Sequence, residues 1–254
     1  MTRISLLLAG AALLAASTAL APAATVTAKM TAAVADPARP EADKARDQNR
    51  KPAEMLAFAG VTPGKVVVDL LPGAGYFTRI FARAVEPGGH VYAYFGTQYD
   101  ARLKSQGKDP DNQFADLKAT YPDLGVIHAP LDQFATPQKV DVVWTSLNYH
   151  DMHNKPYDTD VGKVNKAIYD ALKPGGYYII VDHRAAADAP DDVTETLHRI
   201  KESTVKSEVE AAGFKLVDEG KELANPADNH SEKVFESDIR GHTDQMMLKF
   251  QKPQ

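Results

Sequence analysis

Apolar positions along this chain fall into two alternating rhythms. Val66, Val67, Val68 and Leu70 make a short β-branched run interrupted only by Asp69, the pattern of a strand buried on both faces. Beyond the turn Leu71-Pro72-Gly73-Ala74-Gly75, the residues Phe77, Ile80, Phe81, Ala84 and Val85 recur at i, i+3, i+4, i+7 and i+8, which predicts an amphipathic helix. One punctuation mark recurs between helical and strand patterns: Thr62-Pro63-Gly64-Lys65, Glu86-Pro87-Gly88-Gly89 and Lys173-Pro174-Gly175-Gly176. Proline stops the helix and glycine supplies the turn. The strands that follow are Val66 to Leu70, His90 to Phe95 and Tyr177 to Val181, with others at Val126 to His128, Val140 to Ser146 and Phe214 to Asp218. Helices are expected at Glu41 to Arg50, Ala53 to Ala59, Val161 to Leu172, and near Gln113 to Thr120, Val193 to Ile200 and Thr204 to Ala212. The strand-like ending Asp244 to Phe250 is placed at a sheet edge. This alternation with short connections predicts an α/β fold, a doubly wound, mostly parallel sheet with an antiparallel carboxy-terminal edge strand.

The amino terminus breaks the rhythm. Arg3 precedes the apolar run Ile4 to Leu14, and small residues follow, as in a secretory signal peptide. The run is short for a membrane span, so no stable membrane insertion is expected after cleavage. Ala21-Pro22-Ala23 and Val26-Thr27-Ala28 both suit the cleavage site. Residues 1–28 are therefore expected to leave on export to a bacterial periplasm, 29–40 to form a flexible tether rich in Ala, Pro and charge, and 41–254 to form one domain. A formal net charge of −5 with no Lys/Arg run argues against a nucleic-acid partner. The absence of cysteine excludes disulfides, thiolate metal sites and cysteine nucleophiles.

Ligands of an open parallel sheet sit beyond the carboxyl ends of its strands, which directs attention to two segments. The turn Gly73-Ala74-Gly75 lets backbone amides approach a ligand at a helix N-terminus, although a sharp structural turn has the same sequence. Ser146-Leu147-Asn148-Tyr149-His150-Asp151-Met152-His153 follows one strand, and His183 follows the next. Imidazoles at His150, His153 and His183, with Asp151 and Asp182 alongside, suit a general base or a three-His metal site. A His-x-x-His spacing on a loop is a weak metal signature, and no metal is expected. His128, His198, His230 and His242 are assigned to structure or surface.

The segments VVVDLLPGAGYFT, EPGGHVYAYF, VDVVWTSLNYHDMH, LKPGGYYIIVDH and AAGFKLV resemble, in that order, the class I S-adenosylmethionine-dependent methyltransferases. More narrowly, NYHDMH and the carboxy-terminal GxTDxxxLKF pattern resemble a group of exported proteins described only as methyltransferases by prediction. The resemblance spans about residues 41 to 252 and implies a Rossmann-like fold, S-adenosylmethionine as cofactor and methyl transfer to a small-molecule acceptor. It places the cofactor against Asp69, Pro72, Gly73, Ala74, Gly75, Tyr76, Phe77, Asp132 and Asn148, and catalysis at His150, Asp151, His153 and His183. Asp132 falls where the family often has an adenine-facing acid, although a simple turn aspartate reads the same, and Tyr76 and Phe77 offer π faces to a sulfonium, although Phe77 also reads as core of its helix. Two departures stand out. Leu71 replaces the first glycine of the family loop, and Tyr94-Phe95-Gly96 lacks the acid that ordinarily binds the ribose, Asp100 being the nearest. The alternatives are a non-catalytic periplasmic small-ligand-binding protein and a metal-dependent hydrolase on the His cluster. The residues leave the oligomeric state open.

Overall fold

The computed structural model describes residues 25–112, 114–157 and 159–254, so most of the expected export signal lies outside the described residues. The elements, in chain order, are α1 (Ala28–Val34), α2 (Glu41–Lys44), α3 (Asp47–Arg50), α4 (Pro52–Ala59), β1 (Val66–Leu70), α5 (Tyr76–Ala84), β2 (His90–Gly96), α6 (Thr97–Ser105), α7 (Ala115–Thr120) and β3 (Leu124–Ala129). Then follow β4 (Val140–Ser146), α8 (Val161–Ala171), β5 (Leu172–His183), α9 (Val193–Leu197), α10 (Glu202–Ala211), β6 (Lys215–Gly220) and β7 (Gln245–Gln251). Short 3-10 turns intervene, one of them at His150–His153.

Seven strands form one sheet in the order β3-β2-β1-β4-β5-β7-β6. The first five pair in parallel, whereas β7 runs antiparallel to β5 and to β6. The final strand is antiparallel as expected but lies inside the sheet, and β6 is the edge. That edge exposes Lys215, Val217 and Glu219 on alternate positions, and charge there discourages pairing with another chain. Alternation along the strands splits the core into two layers. Val67, Val142, Trp144, Ile179 and Val181 face α1, α4 and α5. Val66, Val68, Leu70, Val143, Ile180 and Leu248 face α8 and α10. Trp144 anchors the first layer against Phe77, with ring centroids 4.7 Å apart.

Residues 29–40 are packed structure rather than a tether. Thr27 caps α1 through its hydroxyl, which accepts from the Met30 amide at 3.3 Å. Met30 and Ala33 are buried in the first core layer. The buried Arg39 makes a bidentate pair with Asp47 at 2.6 and 2.9 Å and also donates to the Val34 carbonyl. Asp36 accepts from the Tyr121 hydroxyl at 3.0 Å. The single helix expected over Glu41 to Arg50 is two short ones broken at Ala45 and Arg46, which turns α3 toward the carboxyl end of the sheet.

Candidate active site

The chain leaves β1 for β2 and β3 on one side, then returns to β4 on the other, so the sheet order reverses between β1 and β4. A crevice opens at such a switch point. Here a cavity of about 190 Å³ is lined by Asp69, Pro72, Gly73, Ala74, Tyr76, Phe77 and Asn148, together with Arg46, Arg50, Leu71, Ser146 and Leu147. Seven of the nine expected cofactor residues therefore meet at one place. Gly75 is turned away: a Cβ there would fall 2.8 Å from the Phe114 ring, so this glycine, at φ +81°, serves packing. A Cβ on Gly73, at φ +57°, would meet nothing within 4 Å, so the bare backbone of this residue stays open toward the cavity. Asp132 lies in a 3-10 turn, Leu131–Gln133, away from the residues that line this cavity.

Asp69 is an anchor rather than a ligand group. Its buried carboxyl accepts from Thr78 Oγ1 at 2.6 Å, and burial pushes it up to about 7 despite that bond and the Arg50 charge. Leu71 adopts φ +57°, but its side chain is buried in the second core layer instead of blocking the loop. Asn148 donates to the Leu71 and Ser146 carbonyls at 3.0 and 2.7 Å, tying the loop after β1 to the end of β4. The aromatic faces are occupied: the Arg50 guanidinium sits 4.4 Å from the Tyr76 ring centroid and 4.8 Å from that of Phe77. Neither ring is free for a sulfonium, and Phe77 is core.

Arg50 is the feature that sequence reasoning missed. It donates to Ser146 Oγ at 3.1 Å, and among the described residues it has no carboxylate within salt-bridge distance. Lost hydration, with the Arg46 charge nearby, pulls it down to about 10. A guanidinium that no carboxylate meets at salt-bridge distance is a ready partner for an anion. Nothing in the local sequence signals it, because α3 reaches the cleft only through the packing of α1, α2 and Arg39.

Two larger cavities join this one at Leu147. One, of about 590 Å³, is lined by Gln98, Tyr99, Arg102, His150, Asp151, Tyr157, His183, His198, Val234 and Phe235. The other, of about 550 Å³, shares His183, Val234 and Phe235 and adds Arg46, Asn49, Arg50 and Arg240. His150, Asp151 and His183 are thus brought together as expected. His153 is not: its Nε2 lies 3.2 Å from Glu208 on α10, on the far side of the 3-10 turn. His198, assigned from the sequence to structure or surface, takes its place with a ring centroid 5.5 Å from that of His150.

The two buried imidazoles are in opposite states. Burial opposes a charge on His150, but Asp182 at 2.8 Å and Asp151 outweigh it and raise the imidazole to about 10. Both carboxylates favour the protonated ring, which works against the expected role of general base near neutral pH. Asp182 also accepts the backbone amides of His150 and His183 at 2.7 and 2.8 Å, which fixes both residues. His183, by contrast, is lowered to about 4 by burial and by the charge on His150. Its Nδ1 shares a 2.7 Å hydrogen bond with Thr243 Oγ1, and its ring lines both large cavities.

β2 ends at Gly96 without an acid of its own. Asp100 is engaged with His128 Nδ1 at 2.7 Å. Gln98, in the first turn of α6, donates to the Tyr157 carbonyl, and its Oε1 is buried without a hydrogen-bond partner among the described residues.

No family model matches the chain. A stretch of 141 residues, 54% of this chain and 32% of the relative, is 28% identical to an arsenite methyltransferase of Halobacterium salinarum; the match spans about a third of that relative's length. Among solved structures, a SAM-dependent methyltransferase from Aquifex aeolicus superposes with a TM-score of 0.53 at 16% identity, covering 84% of this chain and 95% of its own. The 1,6-didemethyltoxoflavin-N1-methyltransferase of Burkholderia thailandensis, solved with its substrate and S-adenosylhomocysteine, gives a TM-score of 0.51 at 17% identity, covering 89% of this chain and 79% of its own. Identities this low establish architecture.

Proposed function

We propose that this chain, whose fold is that of the class I S-adenosylmethionine-dependent methyltransferases, is itself such a methyltransferase, acting on a small-molecule acceptor in the cell envelope. The observation that carries this reading is Arg50, a guanidinium at the β1/β4 switch point with no carboxylate at salt-bridge distance among the described residues. The residues present fit the cofactor. Arg50, with Arg46 beside it, would hold the amino-acid carboxylate; the first-turn amides of α5 and the Gly73 backbone line the same cavity. Gln98 Oε1 is the acceptor available to a ribose hydroxyl in place of the missing acid. Bound S-adenosylmethionine supplies an electrophilic methyl group, and these residues bind and orient it.

The acceptor belongs in the two larger cavities, whose volumes suit small molecules. With both neighbouring carboxylates favouring a protonated His150, the acceptor that fits best brings its own lone pair or anionic atom and needs no proton removed by that residue. His183 is neutral and borders both cavities, so it positions such an acceptor without adding charge. The substrate named for the Halobacterium relative does not transfer readily, because a soft arsenic(III) centre favours thiolates and this chain has no cysteine.

Calorimetric titration with S-adenosylhomocysteine and with adenosine tests the arginine. Arg50→Ala should weaken the first by about 10- to 100-fold and leave adenosine, which lacks the carboxylate, unchanged. Equal weakening of both ligands, or of neither, contradicts the assignment. Export is supported by the basic start and apolar run, and Thr27, the cap of α1, favours cleavage upstream at Ala21-Pro22-Ala23. Amino-terminal sequencing of the periplasmic protein should find a start beyond Ala23 that keeps Thr27; an intact Met1 on cytoplasmic protein refutes export.

A further inference from the structure

Three side chains able to ligate a metal converge in the cavity of about 590 Å³. His150 Nε2 is 3.3 Å from Asp151 Oδ1, and His198 Nδ1 is 3.6 Å from the same oxygen. Ligand atoms of all three lie within 4.8 Å of one another. Ordinary N–H···O contacts centre near about 2.9–3.0 Å. Four donors held tetrahedrally at about 2.0–2.2 Å from an ion are separated by about 3.3–3.6 Å, and both contacts to Asp151 Oδ1 fall in that range.

The supports behind these groups are those of a coordination site. His150 Nδ1 bonds to Asp182 at 2.8 Å, so its Nε2 is aimed into the cavity with a carboxylate behind the ring. Asn154 Nδ2 contacts Asp151 Oδ1 at 3.3 Å and steadies the carboxylate. His198 closes α9 in the left-handed region, at φ +54°, which brings its ring edge-on to His150 at 88°. His150 and Asp151 come from the turn after β4 and His198 from a separate segment, so the convergence is made by the fold. The remaining side opens on the cavity that His183 also lines.

We propose that His150 Nε2, the Asp151 carboxylate and His198 Nδ1 form a binding site for a divalent first-row transition ion, with Zn(II) as the probe. Two imidazoles and one carboxylate suit such an ion, whereas calcium and magnesium favour shells of oxygen. Three protein ligands leave a position open toward the cavity, where a bound ion polarises an oxygen or nitrogen of whatever molecule occupies it. An ion bound there would replace the proton that His150 Nε2 carries in its absence; the site goes beyond the cofactor reading and does not depend on it.

Untagged full-length mature protein, stripped with a chelator and measured without cofactor, provides the test. Competition with a chromophoric chelator should show one equivalent of Zn(II) bound, and Co(II) should give the strong visible absorption of a four-coordinate site. His198→Ala and Asp151→Asn should each weaken Zn(II) by about 10-fold or more. His153→Ala, whose imidazole faces Glu208, should leave binding unchanged. His198 is half-exposed, so its variant is expected to fold, and circular dichroism checks both variants. Failure of the wild-type protein to take up a stoichiometric equivalent overturns the proposal, as does unchanged affinity in both variants. Either failure leaves the methyltransferase reading standing, because no cofactor enters the measurement.

Discussion

His150 and His183 show how far residue type falls short of residue chemistry. Both are buried imidazoles, yet one is raised to about 10 and the other lowered to about 4, because the Asp182 carboxylate bonds the first ring and only neighbours the second. Their presence near the strand ends was legible in the sequence; their protonation was not, since it depends on which ring meets Asp182. Asp69 gives a prediction at the same scale. Burial raises its carboxyl to about 7, above the value of about 3.9 expected in the unfolded chain. The folded state therefore holds that proton more tightly. The stabilisation is complete below about pH 4 and is lost as pH rises through about 7, at a slope approaching 1.4 kcal/mol per pH unit. Relative to Asp69→Asn, the urea-unfolding free energy of the wild-type protein should fall across that window and run parallel above it. Parallel curves throughout would mean that Asp69 is ionised at no cost.

Among the elements, α1 carries the clearest consequence of the packing. A chain beginning at Pro40 loses Met30, worth about 1.5–3 kcal/mol of burial, and leaves Asp47 without Arg39. At about 2–4 °C per kcal/mol for a domain of this size, its Tm should fall by roughly 10 °C or more against a chain beginning at Thr25. Equal midpoints would restore the tether. The strands were legible because each carries a short apolar run, three of them behind a Pro-Gly turn. The helices α1 and α6 were not: Met30 and Ala33 are the buried residues of the first, Leu103 that of the second, too few for a stripe. The place of β7 inside the sheet was hidden for another reason. Its apolar run reads the same at an edge or between neighbours, and only β6 folding back beyond it decides.

For the whole molecule, the reversal of strand order between β1 and β4 gathers the loop after β1, the end of β4 and α3 around one crevice. Most of the expected cofactor side was readable because its residues lie in one contiguous turn. Arg50, Gln98 and His198 were not, because each enters from a distant segment that carries no motif of its own. His153 left the cluster for the converse reason: one turn of 3-10 helix points it to Glu208. The central claim, that this crevice holds S-adenosylmethionine, is tested most directly by calorimetric titration of the mature wild-type protein with S-adenosylhomocysteine. The account predicts saturable one-to-one binding in the micromolar range; no binding at millimolar ligand would contradict it and leave a methyltransferase fold serving another ligand.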